Sequence, residues 1–349
     1  MKKTVIFSFL LSLSLLAGCS TPASPEQSSE ETPKETLQET PPPPEILSPE
    51  KLEEIQADES GEVMVLMYHN IGEEEATWTR TPDNFRRDLQ TLYDKGFRCI
   101  SLEDYVKGNI TTKAGFTPVV LTFDDGRENN FRYITENGNK VIDPSCAVAI
   151  MEEFKAAHPD FDMTASFFLN GLAFGQKDEE KEKIDFLINN GYSIGNHTMS
   201  HPSLRKLDAQ EIQKEIASLK ARFETLCPNA DINTLALPFG EKPKGDDFVL
   251  TYKGQYEDTA YENIAVLLVG WDPYLSPYDV NFDFANIHRV RASETNVENV
   301  GLYNWLNAYD KGSKLRFISD GNPTVVSVPS AKAEKIDPEK LGGRELITY

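Results

Sequence analysis

Cysteine is scarce in this chain. Four occur in 349 residues, and beyond Cys19 only Cys99, Cys146 and Cys227 remain, an odd number at wide spacing. That pattern supplies neither a disulfide framework nor a CxxC metal motif, so the three read as buried thiols. Cations are also in short supply: 35 Lys and Arg against 56 Asp and Glu leave a formal charge of −21. Phosphate backbones are bound by clustered Lys and Arg, so nucleic acid is not the expected partner, whereas a neutral glycan is not excluded. The apolar run at residues 5–16, broken by Ser8, Ser12 and Ser14, is shorter than the roughly 20 residues a permanent membrane-spanning helix needs. Residues 20–62 contain no aromatic side chain at all.

The short apolar run follows Lys2 and Lys3 and ends in Leu16-Ala17-Gly18-Cys19, which resembles a bacterial lipobox. The resemblance implies a signal peptide over residues 1–18, cleavage before Cys19, and acyl chains on Cys19 that anchor the protein to a membrane. Two or more chains anchor stably where one binds marginally, and an extracytoplasmic location follows. Residues 19–62 read as a tether. From residue 20 onward this stretch carries twelve acidic residues against two lysines, with prolines unbroken from Pro41 to Pro44. A segment of that composition cannot bury enough apolar surface to offset its chain entropy, although Ser48-Pro49-Glu50 could start a short helix. Residues 63–349 are then expected to form one domain.

Within that domain, apolar runs of strand length alternate with helical stretches. Strands are expected at 63–68, 97–101, 118–123, 165–169, 193–196, 234–237 and 264–269. Helices are expected after Thr81-Pro82, after Asp143-Pro144, over 184–190, and over 208–226, where Ile212, Ile216, Leu219 and Phe223 recur on one face. Repeated alternation implies an α/β fold with a mostly parallel sheet, open or closed into a barrel.

Functional groups of such folds gather at the carboxyl ends of the strands, and three polar clusters stand there. Thr122-Phe123-Asp124-Asp125-Gly126 ends an apolar strand with two adjacent carboxylates, which are costly there unless paired, for example with a metal. His197-Thr198-Met199-Ser200-His201 takes two of the five histidines; if helical, the i, i+4 spacing would put both on one side of a turn, suiting two ligands to one ion. Leu237-Pro238-Phe239-Gly240 runs from a strand into a turn whose freed backbone N–H groups could stabilise an oxyanion.

Together these clusters resemble the NodB-type polysaccharide deacetylases, carbohydrate esterase family four. The resemblance implies a distorted (β/α) barrel, with Asp124 as general base and Asp125, His197 and His201 as ligands of a divalent ion, zinc above others. It implies Phe239 as the backbone oxyanion donor. The family's third signature has an arginine where this chain has Ala236, and its C-terminal signatures are only partly matched by Gly270-Trp271-Asp272 and by Ile287-His288. His288 is the corresponding candidate for the general acid, and His69, after the first strand, a candidate to line the site. The expected partner is an acetylated polysaccharide, of peptidoglycan or poly-N-acetylglucosamine type, losing its N-acetyl groups. The alternatives are a glycan-binding protein of the same fold that has lost turnover, which Ala236 and the partly matched C-terminal signatures would favour, and an O-acetyl esterase.

Overall fold

The structure, a computed structural model, describes residues 45–349. The expected signal peptide, the expected lipidation site Cys19 and residues 19–44 of the expected tether lie outside the described residues. The remainder of that tether is corrected. Ser48 caps a helix, α1 (Pro49–Ile55), with Pro49 in its first turn. The chain then packs into the domain: Asp58 and Glu59 are buried, Asp58 bridges Ile318 and Glu62 bridges Arg316. Acidic composition had argued for disorder. Instead, the Glu59 carboxylate accepts the backbone N–H groups of Asp320 and Ser327, so distant segments supply partners that composition could not reveal.

Eight parallel-paired strands form the central sheet: β1 (Met64–Tyr68), β2 (Phe97–Cys99), β3 (Thr117–Phe123), β4 (Ser166–Leu169), β5 (Ser193–Asn196), β6 (Thr234–Ala236), β7 (Ala265–Leu267) and β8 (Val290–Arg291). Their order is β7-β6-β5-β4-β3-β1-β8, with β2 beside β3. Ile287, just before β8, bridges Leu267 of β7, so the sheet curls round until its two ends meet. The helices α2 (Pro82–Asp94), α3 (Ala147–Ala157), α4 (Glu180–Asn189), α5 (Ala209–Leu226) and α6 (Leu302–Asp310) complete the α/β pattern expected from the alternation.

The strands read as continuous apolar runs because both of their faces are covered. Along β1, Met64, Leu66 and Tyr68 join the core that holds Phe85, Leu89 and Leu92 of α2. The alternate residue Val65 packs with Val120, Phe168, Ala236, Leu267 and Ile287 in the barrel interior. Period-two alternation therefore sends one set of side chains up the barrel axis, and Thr122 and Asp124 continue the inward row begun by Val120. Asp208 starts α5 with a reciprocal cap: its carboxylate accepts the Glu211 N–H at 2.9 Å, and the Glu211 carboxylate accepts the Asp208 N–H at 3.1 Å. One helix start moves. Asp143 does not cap α3; its carboxylate closes a turn on Ser145, and the helix begins at Ala147.

Candidate active site

The carboxyl ends of β1, β3, β5 and β6 converge on a cleft of about 390 Å³ whose lining includes His69, Trp78, Asp124, Asp125, His197, His201 and Phe239. Asp125 and Gly126 both adopt left-handed backbone conformations, with φ of 72° and 58°. These turn the chain sharply after β3 and lift the Asp125 carboxylate to the cleft. Glycine suits the left-handed conformation at 126, and a Cβ there would also press on the end of the Leu169 side chain, 2.8 Å away.

The two histidines do not share a helical turn. Residues 197–203 form a loop with Thr198 and His201 at φ of 64° and 56°, conformations that non-glycine residues adopt only when their surroundings enforce them. Here the surroundings are explicit. Asn196 Oδ1 accepts the Thr198 N–H at 2.8 Å, and Thr198 Oγ1 accepts the His201 N–H at 3.1 Å. Glu215 of α5 takes hydrogen bonds from Met199 and Ser200. The result still matches the chemistry expected of the pair. Ligand atoms of Asp125, His197 and His201 all lie within 4.8 Å of one another, and the Nε2 atoms of His197 and His201 stand 3.5 and 3.3 Å from Asp125 Oδ1. His197 Nδ1 lies 2.8 Å from the carbonyl oxygen of Ala236; donating there leaves Nε2 with its lone pair toward the cleft. The donor set fits a divalent ion. Arg127 engages the other Asp125 oxygen at 2.7 Å, leaving Oδ1 for that ion. Burial would raise the Asp125 pKa, but hydrogen bonding and charge from His197, with His69 and Arg127, hold it well below the usual carboxylate range.

Asp124 is fully enclosed, and its partner is an arginine that the sequence motifs did not identify. Arg289, with no solvent exposure, donates from Nη1 to Asp124 Oδ1 and from Nη2 to Oδ2, each at 2.7 Å. Its Nε donates to the Leu268 carbonyl at 2.9 Å and its Nη1 to Thr122 Oγ1 at 3.1 Å. The side chain that seemed missing at Ala236 is thus supplied by the strand at the sheet's other end. Ala236 is itself fully buried in the barrel interior. Burial pushes the Asp124 pKa up, yet the Arg289 guanidinium prevails and keeps the carboxyl below its ordinary value. Breaking a buried, hydrogen-bonded ion pair by removing one partner costs about 3–5 kcal/mol. Arg289→Met is therefore expected to lower unfolding free energy by that order, measured by denaturant titration, and to leave Asp124 harder to ionise.

The histidines at the edge of the site separate clearly. His69 Nε2 is 3.9 Å from Asp124 Oδ2, its ring packs 4.7 Å from Trp78, and its buried Nδ1 has no hydrogen-bond partner. Burial lowers its pKa to about 4, so it is neutral at pH 7. His288, the sequence-based candidate for the acid, is held elsewhere. Its Nδ1 pairs with Asp272 Oδ1 at 2.9 Å, its ring lies beside Tyr274, and it is not among the residues lining the cleft. Alternation explains this: Arg289 points inward to Asp124, so its neighbour faces away. Phe239 is left-handed at φ 60°, with an exposed ring packed 4.7 Å from His201.

Comparison with known proteins finds similarity to one family. Residues 112–253 match the polysaccharide deacetylase family model, a span that contains Asp124, Asp125, His197, His201 and Phe239 but neither His69 nor Arg289. The chain is 24% identical over 235 residues to the putative polysaccharide deacetylase YxkH of Bacillus subtilis, covering 65% of this chain and 75% of that protein. It is 24% identical over 137 residues to a chitooligosaccharide deacetylase of Sinorhizobium fredii, covering 39% of this chain and 54% of that one. Among solved structures, the deacetylase PplD of Streptococcus pyogenes shares the fold with a TM-score of 0.52 at 18% identity, over 71% of this chain and 98% of PplD. A putative polysaccharide deacetylase from Bacillus anthracis does so with a TM-score of 0.51 at 20% identity, over 68% and 67% of the two chains. Residues 112–253 are thus similar to the polysaccharide deacetylases, a family of deacetylating hydrolases.

Proposed function

We propose that this protein is a zinc-dependent hydrolase that removes N-acetyl groups from a cell-envelope or extracellular polysaccharide, working from a lipid anchor at Cys19 outside the cytoplasmic membrane. The observation that carries the reading is the division of labour between two adjacent carboxylates. Asp125 faces two imidazoles, whereas Asp124 is gripped by Arg289. An ion held by Asp125, His197 and His201 would supply Lewis-acid polarisation of the acyl carbonyl and ease deprotonation of the attacking water. One carboxylate and two imidazoles form a donor set suited to zinc with positions left for other ligands.

Asp124 accepts the proton of that water. Arg289 keeps the carboxylate ionised and fixes its plane toward the cleft. The backbone N–H of Phe239 donates to the oxyanion that develops on the carbonyl. His69, neutral and close to Asp124, is placed to relay the proton onward to the leaving amine. His69→Ala is expected to reduce acetate release by about 10²-fold or more, and His288→Ala by far less; the two rates measured side by side test the assignment. PplD is described in complex with acetate, the product expected here. The glycan-binding alternative rested on the absence of an arginine at position 236 and on the partly matched C-terminal signatures; the pairing of Arg289 with Asp124 removes the first of these supports.

For the anchor, Cys19→Ala is expected to move the protein from the membrane to the soluble fraction and to remove the acyl mass from its N-terminal peptide. No change in either would remove the lipoprotein part of the reading.

A further inference from the structure

The strand that delivers Arg289 also delivers a second arginine, and the chemistry above gives it no task. Arg291 lies two residues further along the same row, so its side chain leaves the same face of the strand, roughly 7 Å nearer the mouth. Its register partner in β1 is Met67, whose successor Tyr68 leads directly to His69. The guanidinium carbon stands 4.8 Å from the ring centroid of Trp78, which lines the catalytic cleft. Arg291 also lines a neighbouring cleft of about 380 Å³ with Trp271, Val297, Glu298 and Val300.

Arg291 lacks both an anion and a hydrogen-bond acceptor; the partly buried Arg316 and Arg344 also form no ion pair among the described residues, but each donates to backbone carbonyls. Arg80, Arg87, Arg98, Arg127 and Arg289 each hold a carboxylate within 4 Å. Arg291 forms no ion pair or hydrogen bond among the described residues, and its Nε is buried with no acceptor. Partial burial of this lone cation pulls its pKa down. Glu298 shares the cleft but is solvent-exposed and stands beyond ion-pair distance. The Trp78 ring compensates this half-buried guanidinium in part, and an oxyanion would compensate it further. Beside it, the Trp271 indole is 61% exposed, a flat apolar surface of the kind that marks a binding site rather than a core.

We propose that this second cleft is a subsite for a sugar carrying an oxyanion, adjacent along the polymer to the sugar being deacetylated, with Arg291 binding the oxyanion and Trp271 taking the sugar face. The proposal rests on the deacetylase reading for the reaction but not for the binding. It narrows the substrate class from any acetylated glycan to one with a carboxylate or phosphate on a neighbouring residue. Guanidinium and carboxylate or phosphate match in a fork-to-fork geometry that ammonium does not, so lysine should substitute poorly.

The test compares three acetylated oligosaccharides of equal length: a neutral N-acetylglucosamine oligomer, one alternating with carboxylate-bearing N-acetylmuramic acid, and one bearing phosphate. Acetate release and direct binding by calorimetry are measured for the natural protein, Arg291→Gln and Arg291→Lys. The proposal expects the natural protein to favour one of the anionic oligomers by about tenfold in kcat/KM, chiefly through KM. Arg291→Gln should erase that preference while its rate on the neutral oligomer stays within about twofold, which also shows that the variant is folded. The arm that loses its preference distinguishes carboxylate from phosphate. Equal use of neutral and anionic oligomers by the natural protein, or an equal loss on all three in Arg291→Gln, would overturn the subsite. Should no oligomer release acetate, the deacetylase reading fails by itself. The calorimetric ratio of anionic to neutral binding, and its dependence on Arg291, then decides the subsite alone.

Discussion

Replacing Asp124 with asparagine is expected to lower acetate release by about 10²–10⁴-fold, the usual contribution of a positioned general base, while bound metal stays near its starting level. Asparagine matches the shape of aspartate but cannot take the proton of the attacking water. The structure adds a second consequence. Both Asp124 oxygens accept from Arg289, and an amide offers one acceptor where the carboxylate offers two, so the variant leaves a buried guanidinium partly unpaired. A loss of stability of a few kcal/mol accompanies the loss of rate, visible as a lower midpoint in thermal unfolding. The double variant Asp124→Asn/Arg289→Met separates the two effects. Removing both charges of a buried pair is often close to neutral for stability, so the double variant should recover much of the midpoint while remaining inactive. Activity recovered along with stability would mean that Asp124 is a structural carboxylate and not the base.

His197→Ala is expected to remove metal and activity together. His197 is buried, offers Nε2 to the site and is fixed through Nδ1 by the Ala236 carbonyl. Loss of a partner that merely orients a metal ligand costs 10–100-fold in affinity, so loss of the ligand itself should exceed about 100-fold. Two readouts check it: zinc content after dialysis, and the rise in unfolding temperature on adding zinc, which mass action produces only where the folded state binds the ion. The natural protein should show both and His197→Ala neither. A variant that still gained thermal stability from zinc at the same concentration would place the ion elsewhere.

Much of this site was legible in the sequence because the signals were local. Asp124 and Asp125 end an apolar run, and the run became β3 with both carboxylates at its carboxyl end. His197 and His201 stand near each other in the chain and meet in space, although a loop held by Asn196, Thr198 and Glu215 brings them together where a helical turn was expected. Spacing cannot distinguish those two routes, because both deliver two imidazoles from a five-residue segment. Arg289 was illegible for a different reason. It lies 165 positions from Asp124, and the link depends on the sheet curling until Ile287 bridges Leu267. A strand pattern does not specify that closure. A sequence signal did exist: two arginines, Arg289 and Arg291, alternating with Ile287, Val290 and Ala292 beside the candidate acid His288, in a chain lacking the arginine expected at position 236. The same limit explains residues 57–62, where an acidic stretch is ordered by partners near the opposite end of the chain, such as Ser327.

The central claim is that this site hydrolyses an acetyl group with the help of a divalent ion. Its most direct test is acetate released from acetylated glycans by the purified protein, before chelation, after chelation and after zinc is restored. The account predicts release that chelation abolishes and zinc restores, and that Asp124→Asn does not support under any of the three conditions. Glycan binding without acetate release from any substrate, or release at the same trace rate in the natural protein and Asp124→Asn, would contradict it.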